Sequence, residues 1–228
     1  MKAILFASRS FKVAGFTGLL VLLSACTNSI IDEVRHDYVD VAEGESIVVI
    51  GRHHKSEYET ELDFVRCIGL AISEETDINV IPEQEFIDNL YPWFEPRTAP
   101  IRLAGMENLL QRSGVKSQLT EMGIRHIIWI DGSTQVTSKA GSLACGASLT
   151  GASCIGYMTW DSEAKYEASI WDFKNRNEAG KVSAEAKGTS YMPAIIVPIP
   201  MIARVKTTAC AGLGTQLRTF LTAGEVRE

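Results

Sequence analysis

The chain has 228 residues, 46% of them apolar and 22% charged, with a formal net charge of −6. That length suffices for one well-buried domain with short appendages and falls short of two of ordinary size. The acidic balance argues against nucleic acid as a partner and against an electrostatic hold on anionic lipid, since both need clustered cations.

The first 25 residues differ in kind from the rest. Lys2, Arg9 and Lys12 flank an apolar run over residues 13–23 that is too short to cross a bilayer, and small residues precede a cysteine at its end. Leu23-Ser24-Ala25-Cys26 resembles the lipobox of bacterial lipoproteins. The resemblance implies that residues 1–25 are a signal peptide, that the Cys26 thiol carries diacylglycerol, and that the new amino terminus receives a further acyl chain of the palmitate kind. Two or three such chains hold a protein to a membrane surface durably, where one holds weakly. Thr27 stands where lipoproteins retained in the inner membrane carry aspartate, so the same resemblance favours the outer membrane, facing the periplasm. An ordinary cysteine after a conventional cleavage point and a membrane anchor remain as other readings of the stretch. Loss of Lys2, Arg9 and Lys12 with the signal takes the formal charge from −6 to −9, which leaves the anchoring to lipid.

Four cysteines follow, Cys67, Cys145, Cys154 and Cys210, an even number for an oxidising compartment. Of the three possible pairings, Cys145 with Cys154 closes a Gly/Ser-rich stretch that can fold back as a hairpin. Cys67 with Cys210 then requires two distant helices to lie side by side. A zinc site is disfavoured because close Cys-x-x-Cys pairs are missing.

Residues 26–45 are acidic (Asp32, Glu33, Asp37, Asp40, Glu43, Glu45) and read as a solvated, lipidated tether ahead of a periplasmic domain over 46–228. Ile30-Ile31 and Tyr38-Val39 offer an alternative, an edge strand along the domain. Ser46–Gly51 is a continuous apolar run, expected to be a central strand buried on both faces. Ser56 and Glu59 form a potential capping box before Leu62, Val65, Ile68 and Ile72 at helical spacing, with Cys67 at the margin of that stripe. A short strand over 78–81 precedes a helix opened by Pro82, Glu83 and Glu85. Pro92, Pro96 and Pro100 then forbid regular structure. Trp93 and Phe94 in that loop either plug the edge of the core or present a rigid knob to a partner. Glu95 beside them has no companion acid or base near it in sequence.

Residues 103–110 are weakly helical, and Ser113 caps a clearer helix closed by Gly123. The run 124–130 must be another buried strand, containing His126, with Asp131-Gly132-Ser133 as a polar turn after it. Residues 141–160 read as a disulfide-pinned loop or hairpin and carry no phosphate-binding glycine motif. Alternation over 166–173 and 181–187, with a turn at 175–180, predicts a half-solvated hairpin that places Val182, Ala184 and Ala186 on one face. The proline-broken apolar run 192–205 either packs over the domain or forms an exposed loop for a partner or a lipid surface, with Ile196 and Ile199 as its candidate contacts. Residues 207–221 form a closing helix with Cys210, Leu213, Leu217 and Phe220 in a stripe.

Parallel strands joined by helices, followed by antiparallel ones, predict a single-domain α/β fold: a mixed parallel/antiparallel sheet with helices packed on its faces. In its order of elements this resembles a group of envelope domains: the curli secretion-channel lipoprotein, the amino-terminal domain of the Tol propeller protein, and lipoprotein activators of penicillin-binding proteins. The resemblance spans roughly residues 46–221 and carries no functional residue across. The reading that follows is a non-enzymatic, lipid-anchored module that binds an envelope protein, without cofactor or metal, with a homo-oligomer left open. The alternatives are a subunit of an outer-membrane secretion or transport assembly and a metal-binding or enzymatic protein using His53, His54 and Glu57.

Overall fold

The computed structural model describes residues 27–52, 60–74, 76–94, 103–148 and 151–223. In chain order the described elements are β1 (Thr27–Arg35), β2 (Ser46–Gly51), α1 (Leu62–Ser73), β3 (Asn79–Ile81), α2 (Glu83–Asn89), α3 (Leu103–Leu110), α4 (Ser113–Glu121), β4 (Ile124–Ser148), β5 (Gly151–Asp172), β6 (Asn177–Ala194) and α5 (Val205–Thr222). The six strands form one sheet in the order β1-β6-β5-β4-β2-β3. β2 runs parallel to both β3 and β4. The links between β4, β5 and β6 are too short for a crossover and therefore join antiparallel strands. The sheet is mixed and the fold is α/β, as expected. By contacts the chain divides into two compact units, one holding Val136–Ser162 and Gly188–Arg204, the other Asn28–Gln135, Glu163–Lys187 and the chain from Val205.

In the larger unit β2 organises the core. Every residue of it is buried, although it stands one place from the β3 edge and not at the centre of the sheet. Alternation sends Val48 and Ile50 to one face, where they join Ile127 and Trp129 of β4 and Phe86, Met106, Val115 and Leu119 of α2, α3 and α4. The other face belongs to α1 and α5. Phe64, Val65, Ile68 and Ile72 of α1 are buried, and so are Cys210, Leu213, Leu217 and Phe220 of α5. Leu62, expected in the α1 stripe, is exposed. The two helices approach so closely that a Cβ on Gly214 would come within 2.6 Å of the Ala71 side chain, and Cys67 is bonded to Cys210.

The expected tether begins instead as edge strand β1, the alternative raised by Ile30 and Ile31. Its inward side chains meet α5: Arg35 lies over the Phe220 ring, 3.9 Å from its centroid, and donates to the Phe220 carbonyl. Gln216 donates to Glu33 at 2.6 Å. Of the two acids in β1, Glu33 is thus directed at the domain, while Asp32 lies with Ile30 and Val34 on the solvent side. Val39, further on, is buried.

Two local readings shift. Arg112, in an extended conformation, caps α4, so Ser113 is its first helical residue and supplies no side-chain cap. Gly123 does end that helix in the left-handed region (φ 67°). Asp131-Gly132-Ser133 is no turn: β4 runs straight through it. Gly132 is required there because a Cβ would stand 2.0 Å from the Lys165 carbonyl oxygen on β5, and glycine is the residue that tolerates its φ of 135°.

The Cys67–Cys210 bridge closes a loop of 143 residues. Replacing both cysteines by alanine is expected to lower the unfolding free energy by about 5 kcal/mol in the chain-entropy account, read from urea titrations of the oxidised protein and the double variant.

Candidate docking surfaces and a buried histidine

In the smaller unit, segments of β4 and β5 face each other across two glycines. Gly141 (φ 86°) and Gly156 (φ 142°) lie where a Cβ would reach 2.1 Å from the Tyr157 carbonyl oxygen and 2.3 Å from that of Ser142. At these two positions glycine serves close strand approach, whereas a Cβ on Gly146 or Gly151 would meet nothing within 4 Å. The Cys145–Cys154 disulfide pins this hairpin. Asp161 accepts hydrogen bonds from Ser138 Oγ (2.5 Å) and Thr189 Oγ1 (2.6 Å), and these two bonds hold its carboxyl below the usual carboxylate range.

Beyond β6 the chain turns back on itself. Tyr191 and Met201 exchange backbone hydrogen bonds of 2.9 and 2.7 Å, Ala194 pairs with Pro198, and the Ile199 N–H donates to the Pro193 carbonyl. Ser190 Oγ accepts from the Ala203 N–H, and the Cys154 N–H donates to the Ile196 carbonyl. The tip of this braced turn is apolar and open: Ile195 is 83% exposed, Ile196 66% and Ile199 60%, with Val197 and Ile202 similarly placed. No charged residue stands between Lys187 and Arg204. Soluble surfaces rarely leave such a patch without use. Of the two readings of 192–205, the exposed loop is the one observed, and Ile196 and Ile199 are at its surface.

Trp93 and Phe94 lie elsewhere, in the larger unit. Phe94 is 8% exposed and meets Phe86 edge to face at 5.1 Å between centroids. Trp93 is partly buried against the same cluster, within 3.3 Å of the point where a Gly114 side chain would begin. Phe94 is committed to the core edge and Trp93 partly so, which leaves the pair little face to offer as a partner-binding knob. Cys26, His53, His54, Glu57 and Glu95 fall outside the described residues. Among the described residues no group of His, Cys, Asp and Glu is arranged to hold a metal ion, and no helix is long and apolar enough to cross a membrane.

In the sequence His126 reads as a satisfied core or edge histidine; the structure buries it but leaves it unsatisfied. Its ring is fully buried and neither ring nitrogen has a hydrogen-bond partner. Burial pushes its pKa down to about 4; Asp172 opposes that shift, Arg125 reinforces it, and Asp40 also raises it. Although His126 Nε2 stands 3.7 Å from Asp172 Oδ2, the neutral imidazole makes no ion pair at neutral pH. Asp172 is instead committed to Arg125 Nη1 at 2.5 Å and to Asn175, whose backbone N–H and side-chain amide donate to it at 2.7 and 2.9 Å. A histidine in an apolar run gave no signal of this, because Asp172 lies 46 residues further along the chain.

Comparisons with known proteins add little. No family model matches the chain, and no curated protein matches it. Among solved structures, the PelC dodecamer from Paraburkholderia phytofirmans aligns with a TM-score of 0.38 and 7% identity over 85% of this chain and 98% of that one. A single-substitution variant of the same protein gives a TM-score of 0.38 and 8% identity, covering 85% of this chain and 99% of that one. Both alignments are too loose to carry function across.

Two outcomes are expected. Because the folded-state pKa of His126 lies below its unfolded value of 6.5, the unfolded chain binds the proton first. Stability is full above pH 6.5 and is lost as pH falls towards 4, by on the order of 3 kcal/mol. Urea midpoints measured across that range should show the slope, and His126→Gln should flatten it. Ile196→Asp with Ile199→Asp should change stability by less than about 0.5 kcal/mol while lowering the fluorescence of a bound hydrophobic dye.

Proposed function

We propose that this chain is a non-enzymatic envelope lipoprotein, anchored through Cys26 to the outer membrane and facing the periplasm, which docks on another envelope protein through the apolar loop around Ile196 and Ile199. The observation that carries the reading is that loop: apolar, open, and braced by backbone pairing, prolines and its hydrogen bond to Cys154. A loop already held in one conformation loses little entropy on binding, so its apolar area converts efficiently into affinity. The occupant that suits it is an uncharged, concave protein surface. The lipobox resemblance supplies the address, and lipidation leaves the domain free to meet partners within the periplasm.

Assembly as a subunit of an outer-membrane transport complex is the second reading. It is favoured by the lengths of β4 and β5, 25 and 22 residues, against the five or six of an ordinary strand.

The test is a photoreactive residue at position 199 in intact cells. Capture of one envelope protein, lost when Ile196 is changed to Asp, is expected; capture only of a second copy favours the assembly reading, and capture only of lipid overturns both. The same residue at position 94, inside the core, should capture nothing. Cys26→Ser is expected to abolish incorporation of labelled palmitate and release the chain from the membrane fraction. Unchanged labelling would remove the anchor from the proposal.

A further inference from the structure

A second site lies in the larger unit, where β5 gives way to the turn before β6. Trp171 and Phe173, two residues apart, share the face covered by α3 and α4. The helices leave a cleft of about 220 Å³ beside them, lined also by Glu107, Gln111, Lys116 and Arg176. Such a volume is below the roughly 300 Å³ at which pockets for drug-sized ligands begin, so its occupant is small.

Three observations give this cleft a chemistry. Its wall is aromatic, with Trp171 almost wholly buried and able to present an edge or face to a ring. Two cations and one carboxylate line the same small volume, yet among the described residues none of the three charged side chains makes an ion pair or a hydrogen bond. Arg176, moreover, is the one non-glycine residue among those described with a left-handed backbone, φ 61°. That conformation costs on the order of 1 kcal/mol for a residue with a long side chain. It is enforced from behind, since the Arg176 N–H donates to the Asp172 carbonyl at 2.8 Å and the Asp172 carboxylate holds Asn175. Glycine would occupy this turn position without strain; arginine there puts a guanidinium at the cleft.

We propose that this cleft binds an α-amino acid zwitterion with an aromatic side chain. The ligand's carboxylate is taken by Arg176 and Lys116, its ammonium by Glu107, and its ring by Trp171 and Phe173, with the Gln111 amide serving either polar group. A plain aryl carboxylate leaves Glu107 facing a like charge, and a plain aryl amine leaves both cations unmatched. Only a molecule carrying both charges and a ring answers all three features. The site is independent of the apolar loop.

Calorimetric titration of the full mature chain in detergent distinguishes the possibilities, with L-phenylalanine, 3-phenylpropionate and phenethylamine as probes. Saturable binding of L-phenylalanine is expected, with each analogue at least 10-fold weaker. Arg176→Gly should weaken phenylalanine at least 10-fold while leaving the thermal midpoint unchanged or higher, because it relieves the left-handed strain. Glu107→Gln should weaken phenylalanine but not 3-phenylpropionate. The proposal is overturned if L-phenylalanine shows no saturable binding at millimolar concentration. Equal affinity for 3-phenylpropionate, or an Arg176→Gly variant that binds as the parent does, overturns it as well.

Discussion

The larger unit depends on one constraint: β2 is apolar on both faces, so each face must be covered. A strand with that composition cannot lie against water on either side. Its pairing with β4, itself apolar through Ile127, Ile128, Trp129 and Ile130, extends the demand across two neighbouring strands. One layer, α1 with α5, joins the beginning of the domain to its end and is closed by Cys67–Cys210. The other, α2 with α3 and α4, is built from short helices and finished by Trp93 and Phe94. The aromatic pair that the sequence left between a core plug and a partner knob is what a layer of short helices needs to seal its margin.

The same unevenness explains where chemistry remains. The α1/α5 layer is long, tightly approached and bonded covalently. The α2–α4 layer is shorter, and its incomplete cover leaves room beside Trp171 and Phe173. Asp172 sits between those two aromatics in sequence and turns the other way, where it holds Arg125, neighbours the unbonded ring of His126, and fixes the turn that carries Arg176. One buried carboxylate thus ties the core to the rim of the cleft through adjacent residues with opposite orientations, as a strand's alternation dictates.

The smaller unit rests on different physics. Its strands are rich in glycine and serine and bury few large side chains, so order comes from a disulfide, close backbone approach and short hydrogen bonds to Asp161. Apolar residues are displayed at the turn around Ile196. Where a core is thin, an apolar tip is not drawn inward, and its prolines hold it out. That arrangement is what makes the loop the natural candidate for contact with a partner.

By itself the sequence determined whatever depends on neighbours along the chain. The two-faced burial of β2, the stripes of α1 and α5, the left-handed stop at Gly123 and the proline-broken run at Ile196 and Ile199 are local patterns of period and composition. The pairing of Cys67 with Cys210 stayed conditional in the sequence on those two helices lying side by side, which the structure brings about. Tertiary structure decided what depends on partners far away in sequence. An acidic stretch became β1 because Glu33 and Arg35 found Gln216 and Phe220 on α5. Asp131-Gly132-Ser133 stayed in a strand because β5 approached Gly132 closely, Phe94 was spent on the core because Phe86 was there to receive it, and Arg176 reached the cleft because Asp172 held the turn. No local pattern reports these, since each is a contact whose free energy is realised only once the intervening chain has folded.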